Sequence, residues 1–178
     1  MRVVTKKFYT GIGSRKTPAD VIDLMSRIAS SLQSAGWILR SGGADGADTA
    51  FANGAGDQAR IYRPLGDRKR PGIHEYDPTL WQQAQVIAQQ HHPAWELCGE
   101  YARGMHTRNV FQVLGEQLTD PSKFVVCWTP DAAEHAHETS RETGGTGTAI
   151  RIADTFQVTV FNLARPQSRA RIEAWLAD

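Results

Sequence analysis

Two glycine-rich turns constrain the fold of this chain more than any other feature: Ser41-Gly42-Gly43-Ala44-Asp45-Gly46-Ala47-Asp48 and Gly144-Gly145-Thr146-Gly147-Thr148-Ala149. Each lies between a strand-like apolar run and a helix-like segment. That is where an α/β fold gathers helix N-termini and bare backbone amides, and where it holds an anion. Trp37 to Ser41 feeds the first turn as a short strand, and Ala47 to Ala55 follows as a small-residue helix closed by Gly56. A similar unit precedes it. Phe8-Tyr9-Thr10 ends a strand that breaks at Gly11-Ile12-Gly13-Ser14-Arg15, and Thr17-Pro18 opens a helix with Val21, Ile22, Met25, Ile28, Ala29 and Leu32 at helical spacing, ended by Gly36.

The same alternation continues. Ala59 to Tyr62 reads as a third strand, followed by a long loop marked by Pro64, Gly66, Pro71, Gly72 and Pro78. Leu80 to Gln90 is expected to be a helix broken at His92-Pro93, and Trp95 to Leu118 keeps helical spacing despite Gly99 and Gly104. Phe124 to Trp128 reads as a buried parallel strand. A polar stretch, Thr129 to Thr143, leads into the second glycine turn, then a helix to about Asp154, a strand from Val158 to Asn162 and a closing helix from Pro166 to Leu176. The expectation is an α/β fold, a doubly wound Rossmann-like parallel sheet in a single domain over residues 1–178, with ligands at the carboxyl ends of its strands.

With 178 residues, 40% hydrophobic and 22% charged, the chain suffices for one core and is short for two. Its 20 basic and 19 acidic side chains give a net charge of +1, far from the excess of a protein that grips duplex DNA along its surface. Cys98 and Cys127 form no disulfide framework, which fits a reducing, cytoplasmic location. Met1 to Lys7 lacks a following apolar leader region, and no stretch approaches the roughly 18 apolar residues of a membrane span, so neither export nor a membrane partner is expected.

Several residues are candidates for a site. Gly11, Gly13, Ser14 and Arg15 combine close backbone approach, a hydroxyl and a guanidinium suited to phosphate. Ser41, Gly42 and Gly43 can wrap a phosphate or ribose while Asp45 accepts sugar hydroxyls; alternatively Asp45 caps the next helix, the role favoured for Asp48. Arg103, His106, Arg108 and Asn109 cluster in a helix otherwise patterned as buried. Gly144, Gly145, Thr146, Gly147 and Thr148 carry the strongest local signal: amides, hydroxyls and a positive dipole end together. Arg60, Arg63, Arg68, Lys69 and Arg70 make the long loop basic, either as a phosphate or nucleic-acid clamp or as a solvated surface. Trp95 and Trp128 are the tryptophans placed to stack on a base. His135 and His137 with Glu134 and Glu138 lack the strand spacing that would aim both rings at one ion, so no metal is expected, and no cofactor.

Together the turns resemble the SLOG superfamily, the Rossmann-like group that includes DprA and the LONELY GUY phosphoribohydrolases. Ser41 to Asp48 is similar to the DprA pattern Ser-Gly-Gly-Ala-Arg-Gly-Ile-Asp with Asp45 in place of arginine, and Arg108-Asn109 resembles its Arg-Asn pair. Met105-His106-Thr107-Arg108 is similar to the phosphoribohydrolase Met-His-Glu-Arg, and Gly144 to Thr148 to Pro-Gly-Gly-x-Gly-Thr. The resemblance implies a nucleotide or nucleotide-derived ligand, a homodimer or higher homo-oligomer, and, on the phosphoribohydrolase side, cleavage of an N-glycosidic bond. That chemistry uses a glutamate three residues after the last threonine of the motif. Here that position is Arg151, which cannot act as a carboxylate does. Arg108 would then work with a substitute acid: Asp45, Glu116 or Glu142. The DprA side implies single-stranded DNA as the alternative partner, and a non-catalytic nucleotide sensor is the third reading.

Overall fold

The computed structural model describes residues 5–178; Met1 to Val4, part of the N-terminal stretch read above for a leader, lie outside the described residues. Five strands, β1 (Lys7–Gly11), β2 (Trp37–Ser41), β3 (Ala59–Ile61), β4 (Phe124–Cys127) and β5 (Thr159–Asn162), form one sheet. Their order is β3-β2-β1-β4-β5, and every neighbouring pair is parallel. Parallel neighbours need crossovers, and helices supply them. Helix α1 (Ala19–Ser34) joins β1 to β2, α2 (Ala47–Ala55) joins β2 to β3, and α3 (Pro78–His91) with α4 (Glu100–Leu114) joins β3 to β4. Helix α5 (Thr146–Thr155) joins β4 to β5, and α6 (Pro166–Ala177) follows. The doubly wound α/β sheet expected from the alternation is the fold observed.

The strands are apolar because helices cover both faces of the sheet. Tyr9, Leu39 and Val126 join one buried cluster with Leu24, Met25, Phe51 and Ile172 of α1, α2 and α6. Val125, Cys127 and Val160 join the other, with Val110, Phe111, Ile150 and Ile152 of α4 and α5. Successive residues of β4 therefore alternate between the two layers, the period of a strand. The small residues of α2 are explained by its approach to α1: a Cβ on Gly54 would lie 2.2 Å from the Ser26 carbonyl oxygen.

One helical expectation is corrected. Trp95 to Leu118 is not a continuous helix; Trp95–Leu97 is a single 3-10 turn, and α4 begins only at Glu100. Gly99 sits in extended backbone (φ −72°, ψ 171°), and Gly115, at φ 79°, ends α4 in a conformation that side-chain-bearing residues rarely adopt. The polar stretch before the second glycine turn is also more ordered than its composition suggests. Glu134 accepts from the Asn162 amide (2.9 Å) and the Ser168 hydroxyl, and Glu138 pairs with Arg165 at 2.7 Å. Asp131 accepts from Ser140 Oγ at 2.7 Å and from Thr143 Oγ1. These bonds tie the segment to β5 and α6 and fix the approach to Gly144. Among the described residues no helix is long and apolar enough to cross a membrane.

Candidate functional site

The winding direction reverses between β1 and β4. Loops leaving neighbouring strands at such a point diverge and open a crevice at the carboxyl edge of the sheet. Here the crevice is a cavity of ≈ 440 Å³ between the loop after β1, the turn before α2, α4 along most of its length and the N-terminus of α5.

Its most unusual element comes from α4. Arg108 is 5% exposed, yet its only close polar contact is Met105 Sδ at 4.0 Å, and its Nε has no partner. Among the described residues no carboxylate forms an ion pair with it. Gln112, one turn on and 1% exposed, has neither its side-chain oxygen nor its nitrogen bonded. Both residues line the cavity. Burial pulls the Arg108 pKa down, and Asp48 opposes that shift. Polar groups buried without partners cost free energy, so such groups in a cavity wall are left for ordered water or a ligand to satisfy.

Asp48 is the acid in the cavity wall, 3% exposed. Its Oδ2 accepts from the amides of Gly42 (3.2 Å) and Ala44 (3.3 Å), which holds the first glycine turn in place. Burial lifts its pKa, while Arg108 and the amides of Ala44, Gly42 and Gly13 pull it down. Asp48 thus does more than the capping expected of it. Asp45, by contrast, lies outside the cavity lining, exposed and paired with Arg70 at 2.9 Å, which holds its carboxyl below the usual range.

The second glycine turn meets the cavity where α5 begins. Gly144, Gly145 and Thr146 line it, and no side chain caps the helix. The first amides of a helix have no partner within it, and the dipole adds positive potential there. Asn109 Nδ2 donates to the Gly145 carbonyl at 3.0 Å and locks this turn to α4. Thr148 Oγ1 bonds His106 Nδ1 at 2.9 Å one turn further on. His106 is pushed down to about 4 by burial, with His92, Arg108 and Arg151 adding to the shift. Gly13, Ser14 and Arg15 also line the cavity, joined by Lys16.

The remaining expected residues fall elsewhere. Gly11 belongs to the core, where a Cβ would lie 2.6 Å from the Phe51 ring. Ser41 is buried with an unbonded hydroxyl, outside the cavity lining. Gly42 backs the cavity: a Cβ there would lie 1.6 Å from Arg108 Nη1, so only glycine leaves room for that guanidinium. Gly43 makes the turn at φ 65°, and Gly147 and Thr148 lie within α5 behind the wall. Arg103 lines a neighbouring cavity, its guanidinium 5.4 Å from the Trp95 ring and 3.7 Å from Glu96. Neither Glu116, exposed and 3.8 Å from Arg60, nor the exposed Glu142 lines the cavity. Arg151 is partly buried and donates to the His91 carbonyl at 3.4 Å. Trp95 is buried, and neither it nor Trp128 faces the cavity; the aromatic at its rim is Tyr101, 62% exposed.

Sequence reasoning passed over Tyr101, Gln112 and Lys16. Gln112 carried a usable signal, a polar residue one turn after Arg108 among Val110, Phe111 and Val113.

Fold and cavity together define an α/β protein whose candidate site sits at the switch point of a doubly wound sheet. No protein-family profile matches the chain, and no curated protein matches it. Among solved structures it is similar to DNA processing protein A from Helicobacter pylori, described for its unique single-stranded DNA binding mode. That similarity amounts to 13% identity over 97% of this chain and 81% of that one, with a TM-score of 0.39. At that score the likeness carries no argument about this chain, whose fold is defined by its own strand order.

Proposed function

We propose that this protein binds a nucleotide or nucleotide-derived ligand in the switch-point cavity. The reading rests on Arg108, a buried cation in the cavity wall with no acid paired to it. An anionic group is the ligand chemistry that satisfies it, and a phosphate takes the guanidinium in a bidentate arrangement. The N-terminus of α5 and the loop Gly13–Arg15 bring further amides and charge to the same space. Gln112 offers a donor and an acceptor to a polar sugar or base edge, and Tyr101 offers a ring for stacking.

Cleavage of an N-glycosidic bond has less support. Asp45, Glu116 and Glu142 all lie outside the cavity lining, and Arg151 stands where the resemblance calls for a glutamate. The acid within reach is Asp48, one of whose oxygens already holds two backbone amides. Binding is therefore the function proposed, and any turnover would have to run through Asp48. Single-stranded DNA has weaker support too. In the basic loop Arg63, Arg68 and Arg70 already face Asp67, Glu75 and Asp45.

The test is a panel of nucleoside mono-, di- and triphosphates, NAD, ADP-ribose and cyclic nucleotides, followed by thermal shift and by chromatography for released base. Stabilisation by a phosphate-bearing member without release is the expected result. Free base would add hydrolysis and make Asp48→Asn the next variant. No stabilisation, with salt-sensitive oligonucleotide binding instead, would replace the proposal by the single-strand reading.

A further inference from the structure

The break between α3 and α4 gathers three metal-ligating side chains. His92 follows the end of α3, Cys98 follows the 3-10 turn, and His106 lies on the second turn of α4. One ligand atom from each lies within 4.8 Å of the others. Cys98 Sγ is 3.7 Å from His92 Nε2, and the two imidazole rings are 4.2 Å apart at 61°. A tetrahedral ion with nitrogen at about 2.05 Å and sulfur at about 2.3 Å separates those ligands by about 3.6 Å. His106 is also held as a ligating histidine is: Thr148 Oγ1 occupies its Nδ1 at 2.9 Å, leaving Nε2 for an ion.

We infer that His92, Cys98 and His106 form a binding site for a borderline-soft divalent ion of the Zn²⁺ class, bordering the cavity through His106. Two imidazoles and a thiolate select such an ion over Mg²⁺ or Ca²⁺, and three protein ligands leave the fourth position to water. Binding displaces the Cys98 thiol proton to solvent. His92 must also present a lone pair. Its Nδ1 now accepts the Ala94 amide at 3.1 Å, so loading moves the ring proton to Nδ1 and exchanges that hydrogen bond for a coordinate bond from Nε2. Neither the site nor its test depends on the nucleotide reading. His135 and His137, weighed above and set aside as a metal site, are not among these three ligands; His135 instead bonds Asp154 at 3.1 Å.

The full chain, stripped with chelator and kept reduced, is titrated with Co²⁺ and then with competing Zn²⁺. One Co²⁺ per chain with a thiolate-to-cobalt charge-transfer band is expected, lost on Zn²⁺ addition. Cys98→Ser abolishes the band and weakens Zn²⁺ at least ~10-fold, His92→Gln weakens it likewise, and Thr148→Val weakens it about 10- to 100-fold by freeing the His106 ring. His135→Gln leaves all of this unchanged. Absence of the band in wild type, or its persistence in Cys98→Ser with unchanged Zn²⁺ affinity, overturns the site. Circular dichroism of each variant separates loss of a ligand from loss of fold.

Discussion

Replacing Arg108 by methionine separates a binding role from a structural one, because the two make opposite demands on a buried cation. A guanidinium that holds the fold together has an internal acid as its partner, whereas Arg108 has only Met105 Sδ at 4.0 Å and an orphaned Nε. Methionine fills similar space without the charge. Removing a buried charge relieves its desolvation cost, whereas leaving an interacting partner charge buried and uncompensated costs up to about 3–5 kcal/mol. Here Asp48 loses a favourable field, though it keeps the amides of Gly42 and Ala44. Because no ion pair joins Arg108 to Asp48, the two effects largely offset and the net change in the ligand-free protein is expected to stay within about 2 kcal/mol of wild type, where 1 kcal/mol corresponds to about 2–4 °C in Tm. Binding behaves oppositely. Each charge-assisted hydrogen bond lost costs about 1.5–3 kcal/mol, roughly 10- to 150-fold in Kd. Calorimetric titration with the best member of the nucleotide panel, beside thermal unfolding without ligand, reads both quantities. A variant that binds like wild type while unfolding more than ~2 kcal/mol more easily would refute the reasoning.

Gly42→Ala places a methyl 1.6 Å from Arg108 Nη1, so the guanidinium must leave its place; a stability loss of about 1–3 kcal/mol is expected together with loss of nucleotide affinity, read by the same two assays. At Gly145 an added Cβ meets nothing within 4 Å, and Gly145→Asp adds an acid at the start of α5, so Tm should hold or rise while phosphate binding is lost; retained affinity would remove the helix terminus from the site. Glu138, held at about 2 against an ordinary 4.5, chiefly by its bond to Arg165, contributes stability that is complete above the ordinary value. That contribution fades as pH falls from 4.5 towards 2. Denaturation midpoints should drop over that window and drop less steeply in Glu138→Gln.

The architecture was legible because the chain states it locally. Most strands carry an apolar run, Gly36, Gly43, Gly46, Gly56 and Gly115 sit at turns or helix ends, and the bounds of β2 and α2 were readable to the residue. The one misplaced helix, Trp95 to Leu118, shows the limit: apolar spacing survives across a break, and only the backbone reveals that Gly99 is extended. Part of the cavity lining was legible too. Gly13, Ser14, Arg15, Arg108, Asn109 and Gly144 to Thr146 reach the cavity because strand ends and helix starts must converge there. Choosing between Asp45 and Asp48 was beyond sequence, since three residues on a turn separate a solvent-exposed partner of Arg70 from a buried neighbour of Arg108. Gly11 and Gly42 look like ligand-binding glycines but are small for the Phe51 ring and the Arg108 guanidinium, contacts made by residues distant in the chain. The meeting of His92, Cys98 and His106 was hidden for the same reason, being made by the break that periodicity concealed.

The central claim is that the cavity is built around a phosphate held by Arg108 and the start of α5. Its most direct test is a paired calorimetric titration of a nucleoside 5′-monophosphate and the corresponding nucleoside, for the base that stabilises the protein best. The account predicts that the monophosphate binds at least ~10-fold more tightly, the worth of one charge-assisted bond. Equal affinity for the two, or none for either, would contradict it.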